Sequence, residues 1–96
     1  MTNSEISKII IQLRRFVAQE NEKHPIEDII LFFLKAISNV CDLTEKGLYN
    51  GIPISEHDEN WFNGGYHMNF WNAEIQENLY SPLVEEVRRR DFFRRL

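Results

Sequence analysis

Apolar residues recur at three- and four-residue steps near the start of the chain and predict an amphipathic helix over residues 4–20. The members of this stripe are Ile6, Ile9, Ile10, Leu13, Phe16 and Val17. Residues at this spacing share one face of an α-helix, which then packs against a core. Thr2 or Ser4 can cap the helix, and Thr2 with Glu5 has the spacing of a capping box.

A second and wider apolar stripe predicts a helix over residues 25–41. Its members are Ile26, Ile29, Ile30, Phe33, Leu34, Ile37, Val40 and Cys41. Pro25 suits the first helical position, where a backbone N–H would have no partner within the helix. Gly47 is a plausible end if the helix continues past Asp42. Because only residues 21–24 separate the two stripes, we expect an antiparallel hairpin of helices.

The third quarter of the chain has weaker patterns. Ser55 has the character of an N-cap and predicts a short helix over about 56–62, which Asn63-Gly64-Gly65 would end. Residues 66–79 fit a helical face better than a strand. The aromatic residues around the two glycines, within 61–71, also have the pattern of a small β-hairpin.

The last pattern predicts a C-terminal helix that begins at Ser81-Pro82, a cap followed by proline in the first turn. Its acidic residues come early and its arginines late, which complements the helix dipole at both ends. The fold class that follows is all-α, with a single domain over residues 1–96 and a bundle of four to five helices. The alternative is an α+β fold with a small hairpin at 61–71.

Charge is distributed unevenly along the chain and indicates a binding surface. The net charge is −4, yet no Lys or Arg occurs in residues 47–87, which we call the acidic segment and which holds seven carboxylates and seven aromatic rings. Protein surfaces usually mix both signs of charge, whereas one sign combined with aromatic anchors suits a basic partner. We therefore predict a partner-binding site formed by Glu56, Asp58, Glu59, Trp61, Tyr66, Trp71, Glu74 and Glu77.

Motifs for catalysis or ligand binding are missing from the sequence. It contains no G-x-S-x-G, no glycine-rich phosphate loop and no paired-cysteine motif. His57 and His67 lie near carboxylates but lack the helical spacing of metal ligands. Cys41 falls on the predicted buried stripe and is expected to be a small core residue. We predict that the chain is not an enzyme and binds neither a metal ion nor a cofactor.

The cysteine content and the length of the apolar runs indicate the cellular compartment of the protein. A single cysteine excludes an internal disulfide and fits a reducing cytoplasm. No basic region precedes an apolar stretch at the N-terminus, so a signal peptide is not expected. The longest apolar run, 29–34, is six residues long, whereas a membrane helix needs about twenty. We expect a cytoplasmic protein that does not enter a membrane.

Five arginines lie in the last nine positions: Arg88, Arg89, Arg90, Arg94 and Arg95. Arginine clusters can contact phosphate, but residues 20–87 hold thirteen acids against three lysines, which disfavours nucleic-acid binding. We expect the arginines to pair with carboxylates of the same chain and to favour their own helix end.

The sequence resembles the small acidic immunity proteins that bacteria use against their own nuclease toxins, including those of colicins and of contact-dependent growth inhibition systems. The resemblance covers the chain in outline and is carried by Glu56-His57-Asp58-Glu59-Asn60-Trp61 and by residues 66–74. It implies a helical inhibitor, a monomer or weak dimer, that covers the basic cleft of a nuclease toxin and excludes RNA or DNA. The arginine-rich C-terminus departs from the general pattern.

Two other functions stay open at this point. An adaptor or secretion chaperone would hold a partner helix or disordered segment, and its apolar stripes would exceed one core and favour a homodimer. A nucleic-acid-binding module would use the C-terminal arginines, and is the less favoured reading because of the acidic middle of the chain.

Overall fold

The computed structural model describes residues 1–23, 29–50 and 72–90. Within these ranges the chain forms three helical segments and no strand. They are α1 (Asn3–Asn21), α2 (Ile29–Asn50) and a third segment, α3, that spans residues 73–89. The all-helical class is confirmed for the described residues, with three helical segments where four to five helices were predicted. The predicted helix at 56–62 and the alternative hairpin at 61–71 lie outside the described ranges.

The start of α1 forms as predicted. Thr2 is the N-cap, and its side-chain oxygen accepts from the Glu5 backbone N–H at 3.1 Å. The Glu5 carboxylate accepts from the Thr2 backbone N–H at 3.3 Å, which completes a capping box. Two N–H groups that a helix start leaves without partners are thereby satisfied.

The C-terminal end of α2 differs from the prediction. The helix runs past Asp42, as allowed for, but it also passes through Gly47 and ends at Asn50. A glycine inside a helix costs about 1 kcal/mol relative to alanine. Continued packing offsets this cost, because Leu43 and Leu48 pack against the core beyond the predicted stripe. Thr44 is fully buried there, and its hydroxyl donates to the Val40 carbonyl at 2.7 Å.

The third segment, α3, is one continuous helical run with a change of winding. Ala73–Ile75 is α-helical, Gln76–Tyr80 is π-helical and Ser81–Arg89 is α-helical again. Asn72 is the N-cap, with an extended backbone and a side chain that accepts from the Ile75 N–H at 3.1 Å. Of the helix predicted over 66–79, the described part is helical from residue 73 onward, and residues 66–71 lie outside the described ranges.

The predicted C-terminal α-helix forms over Ser81–Arg89, with Pro82 in its first turn. The predicted capping role of Ser81 is wrong, because the chain is already helical before this residue. Its backbone is helical at φ −62° and ψ −44°, and its N–H donates to the Gln76 carbonyl five residues earlier. In a regular α-helix the Pro82 ring would clash with the carbonyl four residues before it. The wider π turn immediately before the proline relieves this crowding. The serine–proline pair therefore marks a change of winding within a helix.

The helices pack in antiparallel fashion. Arg14 of α1 lies 2.9 Å from Asp42 and 3.0 Å from Glu45 of α2, while the hydroxyls of Ser7 and Tyr49 share a hydrogen bond. Earlier residues of α1 thus meet later residues of α2, which confirms the predicted hairpin. The end of α3 likewise lies beside the start of α1.

The core is drawn from all three segments. Its buried members are Ile6, Ile10, Leu13, Val17, Leu34, Ile37, Val40, Cys41, Tyr80, Leu83, Val84 and Val87. Both predicted stripes supply its α1 and α2 sides, and α3 closes it. None of the helices in the described ranges is long and apolar enough to cross a membrane.

Candidate functional site

The predicted partner-binding site is described in part. Two of its eight members, Glu74 and Glu77, lie on α3. The other six are Glu56, Asp58, Glu59, Trp61, Tyr66 and Trp71, and they lie in residues 51–71, outside the described ranges. The structure therefore describes the part of the predicted site that lies on α3.

Both described site residues are exposed to solvent. Glu74 lies in the first α-helical turn of α3 and Glu77 in the π turn. Within the described part of the chain, neither carboxylate forms an ion pair or a hydrogen bond. Glu85 is exposed further along the same segment. We call Glu74 and Glu77 the acidic edge of α3, which is available to meet positive charge from outside.

Two residues of the acidic segment point inward, against the expectation that its acids and rings share one solvent-facing surface. Tyr80 is fully buried among core residues, and burial raises the pKa of its phenol. Glu86 is only 7% exposed. Both lie on the inner face of α3 with Leu83 and Val87. Because this face of the helix packs against the core, the two side chains are not accessible to a partner.

Glu86 is held by three cationic groups. Its carboxylate accepts from the Arg89 Nε at 3.1 Å and the Arg90 Nε at 3.0 Å, and lies 3.3 Å from the Met1 amino nitrogen. These contacts, led by the hydrogen bonds from Arg89, lower the pKa of Glu86 to about 2. Arg90 also donates to the Asn3 side chain at 2.7 Å, which ties the end of α3 to the start of α1.

The expected pairing of the C-terminal arginines is thus confirmed for Arg89 and Arg90. Arg94 and Arg95 lie outside the described ranges. The Glu86 pairing was missed at the level of sequence, although its signal was present: a glutamate followed by cations three and four residues later is a helical ion-pair spacing. The number of negative charges in a segment does not show which of its carboxylates is paired within the chain.

Acidic residues outside the acidic segment behave differently from Glu74 and Glu77. Asp42 and Glu45 of α2 are both bound by Arg14, so their charge is partly neutralised within the chain. Their contacts raise the pKa of the Arg14 guanidinium, with the hydrogen bond to Asp42 as the main cause. Tyr49 nearby keeps 59% of its surface exposed.

An open groove that sequence reasoning did not find lies between α1 and α3. It has a volume of about 220 Å³ and is lined by Gln12, Arg15, Phe16, Gln19, Ile75 and Leu79. Phe16, Ile75 and Leu79 are half-buried at the edge of the core, and the other three are exposed. The sequence signals for it were the place of Phe16 in the first apolar stripe and the four-residue spacing of Ile75 and Leu79.

Two observations within the described ranges concern reactive and metal-ligating side chains. Cys41 is fully buried, and burial raises the pKa of its thiol to about 12, so it stays protonated near neutral pH. Within residues 1–23, 29–50 and 72–90 there is no group of three or more histidine, cysteine, aspartate or glutamate side chains arranged for a metal ion. His57 and His67 fall outside those ranges.

Comparison of the chain with protein-family models, curated proteins and solved structures finds no match in any of the three.

Proposed function

We propose that this chain is an immunity-type inhibitor that binds and neutralises a cognate basic toxin, a nuclease, through its acidic segment. The observation that carries the proposal is the pairing state of its carboxylates. Glu74 and Glu77 are exposed with no ion pair in the described part of the chain, in a stretch of 41 positions, 47–87, that contains no Lys or Arg. No ion pair within the described ranges involves these two charges, which supports their use in binding a partner.

The mechanism is electrostatic steering followed by burial of anchors. A nuclease carries a basic cleft for its nucleic acid, and a surface of one negative sign attracts that cleft and speeds encounter. Trp61, Tyr66 and Trp71 are the proposed anchors, because tryptophan and tyrosine dominate binding energy at interface hot spots. Once bound, the acidic surface covers the cleft and excludes RNA or DNA.

The pairing of Arg89 and Arg90 with Glu86 weighs against the nucleic-acid alternative. Guanidinium groups already bonded to a carboxylate have less to offer a phosphate. The absence of a gel shift with this chain at about 50 mM salt, where phosphate contacts are strong, would remove that alternative.

The test measures association with the protein encoded by the gene next to this one. Stopped-flow rates are compared for the native chain, the triple variant Glu56→Gln/Asp58→Asn/Glu59→Gln and the double variant Glu74→Gln/Glu77→Gln. We expect a tight one-to-one complex whose on-rate falls as salt rises. Each variant should lower the on-rate by about threefold or more at low salt, since steering depends on the charge of the surface that faces the partner.

The matched control is Asp42→Asn/Glu45→Gln, which removes two carboxylates already bound by Arg14. It should change the on-rate less than the double variant on α3. If the triple and double variants associate as fast as the native chain, the site is wrongly assigned. If no complex forms and nuclease activity is unaffected, the proposed function itself is wrong.

The adaptor or secretion-chaperone function is the second candidate, and the groove between α1 and α3 favours it. Its apolar floor of Phe16, Ile75 and Leu79 is the kind of surface on which a partner helix or extended segment docks. Light scattering separates the two functions. A stable homodimer in the absence of any toxin supports the chaperone, whereas a monomer that binds one toxin supports the inhibitor.

A further inference from the structure

The groove between α1 and α3 combines an apolar floor with a polar rim. Phe16 of α1 and Ile75 and Leu79 of α3 form the floor, and all three are half-buried. The rim is made by Gln12, Arg15 and Gln19, all on α1 and all exposed. Among the described lining residues, α3 contributes apolar side chains and α1 contributes all the polar ones.

The rim belongs to a longer cationic stripe along α1. Lys8, Gln12, Arg15 and Gln19 follow each other at helical steps of four, three and four residues and are exposed. Neither Lys8 nor Arg15 forms an ion pair within the described part of the chain. The one acid a turn earlier, Glu5, is engaged by Thr2 in the capping box. The stripe therefore presents two positive charges and two amide side chains.

The neighbouring arginine of α1 is in a different situation. Arg14 lies one position from Arg15 but faces α2, where it binds both Asp42 and Glu45. In a protein with more acids than bases, Arg15 has been left without such a carboxylate in the described ranges while lining a groove. A cation in that position is complementary to a negative group brought by a partner.

The size of the groove restricts what can occupy it. Pockets for drug-sized ligands are typically about 300–1,000 Å³, whereas this groove measures about 220 Å³. One large side chain with its neighbouring backbone is a better match to that volume. The glutamines on the rim can exchange hydrogen bonds with the N–H and C=O groups of such a segment.

We propose that this groove is a second interaction surface, which binds a segment of a partner protein in which a large apolar side chain lies next to a carboxylate. The apolar side chain packs on Phe16, Ile75 and Leu79, and the carboxylate pairs with Arg15. The inference goes beyond the proposed inhibitor function, because the carboxylates Glu74 and Glu77 call for a basic partner surface, whereas Arg15 calls for an acidic group. Two cations are too few for a nucleic-acid site, where phosphate contacts are numerous.

The experiment titrates the full-length ¹⁵N-labelled chain with the smallest probe that has both features, N-acetyl-phenylalanine, and compares it with N-acetyl-phenylalanine amide, which lacks the negative charge. We expect amide shifts confined to the groove residues and a Kd of about 1–10 mM, the range for a fragment-sized ligand. The acid should bind about two- to fivefold more tightly than the amide, as expected for one exposed ion pair.

Variants then assign the carboxylate contact. Arg15→Gln should abolish the preference for the acid, while Arg15→Lys should retain part of it. The matched control is Arg14→Gln, which removes the same charge from the same helix outside the groove and should leave the preference unchanged. Circular dichroism of each variant verifies that the helices are intact.

Several results overturn the inference. They are equal binding of acid and amide, shifts centred elsewhere, a preference that survives Arg15→Gln, or no shift at about 20 mM probe, well above the expected Kd. Equal shifts with inorganic phosphate would show a generic anion site and would also overturn it. None of these results bears on toxin association, so the two proposals fail or stand separately.

Discussion

Glu86 is buried and paired, although it lies in the acidic segment, whose carboxylates were expected to be exposed. Its neighbours in sequence suggested an exposed acid in a one-sign surface, but its place on the inner face of α3 buries it beside Arg89, Arg90 and the Met1 amino group. A buried carboxylate is costly unless it is paired and hydrogen-bonded. The three cationic contacts meet that requirement and join the last turn of α3 to the start of α1.

We predict that Glu86→Gln destabilises the chain by about 1–3 kcal/mol, the range for hydrogen bonds to a charged group. The variant keeps the shape of the side chain but leaves Arg89 and Arg90 without their carboxylate. Urea unfolding followed by circular dichroism measures the loss. Glu77→Gln, an exposed change on the same segment, is the control and should stay within about 0.5 kcal/mol of the native chain. Equal stability of both variants would contradict the role given to Glu86.

The same residue predicts a pH dependence. The pKa of Glu86 is lowered from 4.5 to about 2 in the folded chain. A lowered folded-state pKa contributes stability above the unfolded pKa, and that contribution is lost as the pH falls through the folded value. The stability difference between the native chain and Glu86→Gln should therefore be full near pH 6 and shrink between about pH 5 and 2. A difference that is constant over this range would be inconsistent with the assigned pKa.

Cys41 yields a prediction about reactivity. Its side chain is fully buried and its thiol pKa is raised to about 12 by that burial. We expect a thiol reagent at pH 8 to label the folded chain far more slowly than the same chain in denaturing urea, because thiolate and access are both lacking. Rapid labelling of the folded chain would show that Cys41 is exposed or activated.

At the scale of the helix, the start of α1 depends on Thr2. Its side chain bonds the Glu5 N–H, and Glu5 bonds back to the Thr2 N–H. Thr2→Ala should cost about 1 kcal/mol of stability, as typical for loss of an N-cap, with a lower thermal midpoint as the readout. Ser4→Ala, inside the same helix and exposed, is the control and should be close to neutral. If the two variants are equally stable, the capping box does not contribute to folding.

Helix ends were predicted correctly where the local sequence signals agree with each other. They were predicted less well where a local signal for a helix end or start is opposed by packing against the core. The apolar stripe and the capping spacing of α1 point to the same helix, and the helix forms there. At Gly47 and at Ser81-Pro82, local signals indicated a helix end and a helix start. Packing of Leu48 and of Leu83 keeps the chain helical through both positions. The residual conflict at Pro82 appears as the π turn before it.

At the scale of the whole molecule, the core predicts a strong contrast between two adjacent isoleucines of α1. Ile10 is 3% exposed and Ile11 is 55% exposed. Ile10→Ala should destabilise the chain by about 2–5 kcal/mol, since it removes buried methyl groups and leaves a cavity. Ile11→Ala should cost less than about 1 kcal/mol. Chemical denaturation of both variants is the measurement, and similar losses would contradict the assigned core.

The distribution of charge over the molecule follows from the same packing. Arg14, Arg89 and Arg90 pair with carboxylates of the chain. Glu74 and Glu77 of α3 and Lys8 and Arg15 of α1 are exposed and form no ion pair within the described ranges. The net charge of −4 reveals neither surface. Two surfaces of opposite sign are the basis for the two proposals made above.

The sequence by itself determined the helical class of the described residues, the faces of α1 and α2 that enter the core, the cap at Thr2 and the antiparallel hairpin. These depend on interactions between residues close in the chain, or on a short connection, which a periodic pattern encodes directly. Only the tertiary structure decided that Glu86 and Tyr80 turn inward, that α3 is continuous through Pro82, and that Arg15 lines a groove. Each of these depends on which distant residues are neighbours, and no local spacing specifies that.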